Sequence, residues 1–215
     1  MTKEEFIKEI KKLGLSPTSL QLEQLEKYYN MLINWNEKIN LTRITKKEDV
    51  YLKHFYDSLT IIKIIDLKKE ETLLDFGTGA GFPGMVLKIM FPNLKVTLLD
   101  SLNKRIIFLN EVIKELNLKE IETVHERIEK YTEKRFDVLT TRAVANLSKL
   151  IEYTKNIMDK NTKFIPLKGH IEEELQDVEN KKLLQKYGLT IRDKKDFLLP
   201  KEKSTRTILL IEKRK

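Results

Sequence analysis

The spacing of apolar residues changes near residue 70, and the change divides the chain in two. Before it the period is helical. Phe6, Ile7, Ile10, Leu13 and Leu15 fall near one face of a helix, and Gly14 predicts its end. Ser16-Pro17 predicts a restart, with Ser16 as N-cap and Pro17 in the first helical position. Leu20, Leu22, Leu25, Tyr28, Tyr29, Leu32, Ile33 and Trp35 form the stripe of a second, longer helix. A polar stretch (36–49) separates it from a third helix over 49–65.

After the change, short apolar runs alternate with helical stretches. Strands are predicted at 72–76, 95–100, 121–126, 136–141 and 163–168, with helices near 84–91, 102–117, 147–158 and 171–187. This rhythm implies a doubly wound α/β fold, a parallel sheet covered on both faces. The last two strand candidates, 189–200 and 204–214, are joined by a short polar turn with no helix between them. That connection forces an antiparallel pair. The expected organisation is an N-terminal helical extension, 1–66, before an α/β domain, 67–215.

Composition narrows the chemistry. The chain has 215 residues, 40% hydrophobic and 34% charged, which fits a globular protein with a sizeable core. It has no cysteine, which excludes disulfides, thiolate zinc sites and thiol catalysis. His54, His125 and His170 are scattered, so no metal site is expected, and they read as surface or hydrogen-bonded residues. No apolar run approaches a membrane span, and the N-terminus reads as neither a signal nor a transit peptide. A cytoplasmic protein without membrane contact is expected. With no zipper or repeat visible, it is expected to be a monomer. The net charge of +8 is uneven, +1 in residues 1–66 and +7 in the remainder. A basic second half suggests a polyanionic partner, nucleic acid first, although a lysine-rich solvated surface would look the same.

The most informative segment is LLDFGTGAGFPG, 73–84. Gly77, Gly79, Gly81 and Gly84 follow a strand and open a helix, where the backbone must turn sharply and approach a ligand. The string also fits a dinucleotide fingerprint, which leaves a nicotinamide-dependent oxidoreductase open. Asp75, just before the loop, argues against a pyrophosphate seated there. A carboxylate at that mouth favours S-adenosylmethionine (SAM), which has no phosphate and carries a sulfonium and an ammonium. Asp100 ends the second strand, where a carboxylate can accept from both ribose hydroxyls. Ile128 and Glu129, after the third strand, are candidates for the adenine. Arg142, leaving the fourth, is a candidate for gripping an anion or a purine edge.

Missing residues constrain the acceptor. Pyrimidine C5 methylation usually needs a cysteine, and exocyclic-amine methylases carry an (Asp/Asn)-Pro-Pro-(Tyr/Phe) motif where this chain has TTRAVAN, 140–146. A purine ring nitrogen such as guanine N7 has a free lone pair and needs positioning but no general base. Ribose 2′-O methylation stays open, with Lys168, Asp137 and Glu129 as possible contributors.

The segments DFGTGAGFPG (75–84), LLDSLNKRIIFLNEV (98–112), FDVLTTRAVA (136–145) and LKG (167–169) resemble the small-subunit ribosomal RNA guanine-N7 methyltransferase family. WNEKINLTRI (35–44) and HFYDSL (54–59) are similar to the same family, which is also called glucose-inhibited division protein B. The resemblance runs in order over nearly the whole chain. It implies a seven-stranded SAM-methyltransferase (Rossmann-like) sheet. It also implies methylation of one guanine in the decoding region of 16S rRNA, on the small subunit or its precursor. By it, SAM contacts fall on Gly77, Phe82, Ile128, Glu129 and Arg142, with Arg142 also as catalytic candidate; Phe76 stands where a smaller aliphatic residue is expected. Lys104 and Arg105, opening the helix after Asp100, and Lys168, ending the fifth strand, are candidates for RNA phosphates, and the basic stretch 192–206 is a further one. A non-catalytic RNA-binding or ribosome-assembly module remains the third reading.

Overall fold

The computed structural model describes residues 1–132, 134–203 and 205–214; Ser204, where the sequence pattern starts the last strand, lies outside them. Seven strands form one sheet in the order β3-β2-β1-β4-β5-β7-β6. β1 (Thr72–Phe76), β2 (Lys95–Asp100), β3 (Ile121–His125), β4 (Val138–Arg142) and β5 (Lys163–Lys168) are parallel. β6 (Leu189–Leu198) and β7 (Thr205–Lys213) form the predicted antiparallel pair, and β7 also runs antiparallel to β5. β1 lies between β2 and β4, so the strand order reverses there. Such a reversal opens a crevice beyond the carboxyl ends of the strands.

Helices cover both faces. α1 (Lys3–Lys12), α2 (Ser19–Ile39), α5 (Gly84–Met90) and α6 (Asn103–Glu115) share one face with a helical stretch over 47–63. That stretch is α3 (Lys47–Val50), a π-helical turn (Tyr51–Tyr56), α4 (Asp57–Leu59) and a 3-10 turn (Thr60–Lys63). Phe6, Tyr28, Phe55, Met85 and Phe108 belong to the core on this side. On the other face, α7 (Leu147–Thr154), α8 (Glu172–Gln176) and α9 (Val178–Lys186) flank a second core that includes Leu139, Ile151 and Leu209. Phe76 points into that core, 5.9 Å from the ring of Phe164, which accounts for a bulky residue where a smaller one was expected. Among the described residues no helix is long and apolar enough to cross a membrane.

Local chemistry moves three predicted boundaries. α2 is capped by Thr18, not Ser16. The Thr18 hydroxyl accepts from Gln21 N–H at 3.2 Å while the Gln21 side chain accepts from Thr18 N–H at 2.8 Å. The third predicted helix contains a wide π turn, which turns Tyr51, Leu52, His54, Phe55 and Tyr56 all inward. The helix predicted over 171–187 breaks at Asp177, whose carboxylate caps the next helix by accepting from Glu179 N–H at 2.9 Å.

Candidate active site

The glycine loop leaves β1 as a backbone ribbon. Gly77 and Gly79 adopt φ of 64° and 63°, a left-handed conformation that side chains disfavour. Space around a hypothetical Cβ separates the glycines by role. At Gly79 it would meet nothing within 4 Å, so that position faces the open cleft. At Gly81 it would sit 2.6 Å from the Tyr28 hydroxyl, and at Gly84 2.4 Å from Leu98 Cδ2. These two let the helices close down, and Gly81 turns toward α2, away from the cleft where the sequence reading put it.

The two acids are also placed differently from expectation. Asp75 was expected at the mouth of the loop; it lies beneath it, fully buried. Its Oδ2 accepts from the Thr78 hydroxyl at 2.6 Å and from Gly84 N–H at 2.8 Å, tying both ends of the loop together. Its Oδ1 is buried with no hydrogen-bond partner among the described residues. Burial pushes this carboxyl up to about 7. Asp100 was expected to offer free acceptors to a ribose. Its oxygens accept from Gly79 N–H and Leu102 N–H, both at 2.9 Å, and from Arg105 Nη1 at 3.0 and 3.3 Å.

Two connected clefts follow the strand ends. One of about 460 Å³ is bounded by the loop, Asp100, Arg105, Thr42, His54 and Arg142. A smaller one of about 180 Å³ lies between Phe76, Leu99, Ile128, Glu129 and Tyr153, and the two share Gly77, Ser101 and Val144. Ile128 is buried and Glu129 exposed at its edge. A third cleft of about 520 Å³ adjoins the first through His54, Arg142 and Ala143, and reaches Asp57, Lys168 and Arg206. A further depression of about 390 Å³ beside Lys95 and Glu122 lies at the amino ends of the strands, the wrong end for a ligand of a parallel sheet.

Arg142 is the hub between the first and third clefts. Its Nη1 donates to the Lys53 carbonyl at 2.9 Å and to Asp57 Oδ2 at 3.2 Å, and its Nη2 donates to His54 Nδ1 at 3.0 Å. The guanidinium also lies 5.2 Å over the ring of Phe82. Phe82, predicted as a cofactor contact, is nearly buried. It stacks on His54 at 4.3 Å and on Tyr28 at 5.4 Å, and so supports the wall. The Arg142 guanidinium can only donate, so His54 Nδ1 must be the acceptor and the imidazole proton sits on Nε2, facing the Thr42 hydroxyl at 2.9 Å. Burial, reinforced by Arg142, drives the imidazole down to about 3, so it stays neutral.

Two of the three predicted phosphate ligands are otherwise engaged. Arg105 is paired with Asp100, and Lys168 is held by the Ala145 carbonyl at 2.8 Å and by Glu174 at 2.9 Å. Both were expected to face RNA because they follow strand ends; at that position they meet acidic neighbours first. Lys104 is exposed.

A family model described as GidB, rRNA small subunit methyltransferase G, matches residues 21–195. The chain belongs to this family. It is 46% identical to the ribosomal RNA small subunit methyltransferase G of Bacillus velezensis, covering 100% of this chain and 92% of that protein. With the protein of the same name from Bacillus subtilis the identity is 44%, covering 99% and 91%. Among solved structures it is similar in fold to the mitomycin 7-O-methyltransferase MmcR, with TM-score 0.62 at 16% identity over 86% of this chain and 60% of that one. A SAM-dependent methyltransferase from Aquifex aeolicus matches with TM-score 0.57 at 20% identity, covering 78% and 94%.

Seen as a member of the rRNA small subunit methyltransferase G family, the chain has site residues that its spacing did not single out. His54 and Asp57 reach Arg142 from the helical stretch 47–63, and Thr42 reaches His54 from the loop before it. His54 and Asp57 stand three apart in HFYDSL, one helical turn, which was the available signal. Nothing in the spacing ties Thr42 to them.

Proposed function

We propose that this chain transfers a methyl group from SAM to N7 of one guanine in the decoding region of 16S rRNA, on the small subunit or its precursor. Membership in the family carries the coarser statement: the chain is a SAM-dependent rRNA methyltransferase. The observation that supports the finer one is the state of His54. It is the imidazole nearest the junction of the clefts, yet its Nδ1 is occupied by Arg142 and its Nε2 already bears the proton. Such a group cannot accept a proton, and N7 has none to give.

The residues suit the cofactor. Gly77 and Gly79 line the cleft, Gly79 with open space beside it and Gly77 packed against Val144, Asp100 faces the same cleft, and Ile128 with Glu129 flank the smaller recess. The Asp75 carboxyl, when ionised, supplies negative charge behind the loop without touching the ligand. Gly81 and Phe82 hold the loop against α2, and Arg142 fixes the wall between cofactor and acceptor. When bound, the cofactor supplies an electrophilic methyl group. The extension 1–66 completes this catalytic domain, 67–215, by bringing Tyr28, Thr42, His54 and Asp57 to it. Lys104 and the basic stretch 192–206, apart from Ser204, which lies outside the described residues, are the surface through which RNA phosphates would be held.

Tritiated SAM with small subunits lacking the modification tests this reading. Label is expected on a single guanine at N7; label on a ribose or an exocyclic amine would end it. A second expectation concerns Arg105, whose guanidinium takes the Asp100 acceptors that a ribose needs. Arg105→Met is expected to tighten SAM binding about 3- to 10-fold, as its two charged hydrogen bonds to Asp100 no longer compete. Calorimetric titration checks it, and a weaker affinity would show that Arg105 supports the ribose site instead.

A further inference from the structure

The first and third clefts meet at His54, Arg142 and Ala143, so an acceptor base entering from the third must pass this junction to reach the glycine loop. Thr42 stands on its wall. Its side-chain oxygen faces His54 Nε2 at 2.9 Å and accepts from Ile44 N–H at 3.0 Å. The tautomer forced by Arg142 makes the imidazole a donor, so both lone pairs of the hydroxyl are filled. Its own proton has no protein acceptor among the described residues, and the side chain is half-buried along the 460 Å³ cleft. The chain Asp57–Arg142–His54–Thr42 therefore fixes one hydroxyl as a donor and forbids it to act as an acceptor.

The major-groove edge of guanine offers two adjacent acceptors, N7 and O6; adenine replaces the second by an amino donor. An N7 that is to receive a methyl group must be left free, which leaves O6 as the atom to hold. We propose that the Thr42 hydroxyl donates to O6 of the acceptor guanine and is the residue that discriminates against adenine. This rests on the N7 reading above. A donor-only hydroxyl facing an adenine N6 amine would leave two donors opposed, which a buried site rejects. His54 and Arg142 act in this as positioning residues.

The test uses the full chain and small subunits lacking the modification, with either guanine or adenine at the labelled position. Thr42→Val is expected to lower kcat/KM on guanine subunits about 10- to 100-fold and to narrow the guanine-over-adenine ratio. Affinity for S-adenosylhomocysteine should be unchanged, and Thr42→Ser should restore both rate and selectivity. Thr42→Val that labels guanine as fast as the wild type, with the same selectivity, overturns the inference while leaving the N7 assignment intact. Loss of S-adenosylhomocysteine affinity in Thr42→Val overturns it in favour of a cofactor contact. Wild-type label at any atom other than guanine N7 overturns both.

Discussion

Arg142→Ala is expected to lower turnover on small subunits by about 100-fold or more, because it would dissolve the wall proposed to align both reactants. The guanidinium satisfies three acceptors contributed by one helical stretch: the Lys53 carbonyl, Asp57 and His54. Removing it leaves the Asp57 carboxylate, which is buried, with only the 3.4 Å contact to Arg206 among its ion pairs with the described residues. Breaking one side of a buried ion pair typically costs about 3 kcal/mol or more. For a chain of this size that corresponds to a fall in Tm of about 6–12 °C. The imidazole, relieved of its cationic neighbour, would no longer be held to one tautomer. Arg142→Lys is expected to recover little, since a point charge cannot span three separated acceptors. Single-turnover kinetics and thermal melts check both variants. Wild-type turnover in Arg142→Ala would remove Arg142 from the site.

Asp75→Asn should give a more stable protein that binds SAM less well. The Asp75 carboxyl is raised to about 7 by burial, against an ordinary value of 3.8. The folded chain therefore binds a proton there that the unfolded chain releases at lower pH. Stability is full below about pH 4 and is lost as pH rises through 7, by on the order of a few kcal/mol. An amide keeps the bonds from Thr78 and Gly84 and carries no charge to desolvate. The variant should thus melt about 6–12 °C above the wild type at pH 8, with the gap closing toward pH 4. A cationic ligand favours the ionised carboxylate, so wild-type SAM affinity should climb between pH 6 and 8. In Asp75→Asn it should be flat and about 10- to 30-fold weaker at pH 8. Melting below the wild type at pH 8 together with undiminished affinity would mean the acid is a structural tie and nothing more.

Much of the fold was legible because apolar spacing reports burial directly. Every parallel strand was visible as a short apolar run, and the missing helix before β7 announced the antiparallel pair. Boundaries decided by side chains escaped: Thr18 won the cap from Ser16 because Gln21 reciprocates its bond, and Asp177 interrupts an otherwise continuous pattern. The site was legible as positions along strands. Which way each side chain turns was not. Asp75 and Asp100 were located at their strand ends, but whether a carboxylate faces ligand, loop or arginine depends on neighbours distant in sequence. Thr42 was beyond reach for the same reason, and His54 was marked only by its spacing from Asp57, since the importance of both comes from Arg142, 88 residues after His54.

The rear of the glycine loop carries a practical consequence. The Tyr28 hydroxyl donates to the Ala80 carbonyl, and its ring stacks between Phe55 and Phe82. A fragment trimmed to begin at residue 67 would keep every strand, yet lose the aromatic slab that the loop leans on. Anyone grafting this loop onto another Rossmann-like scaffold, or shortening the chain for crystallisation, would have to carry α2 along with it.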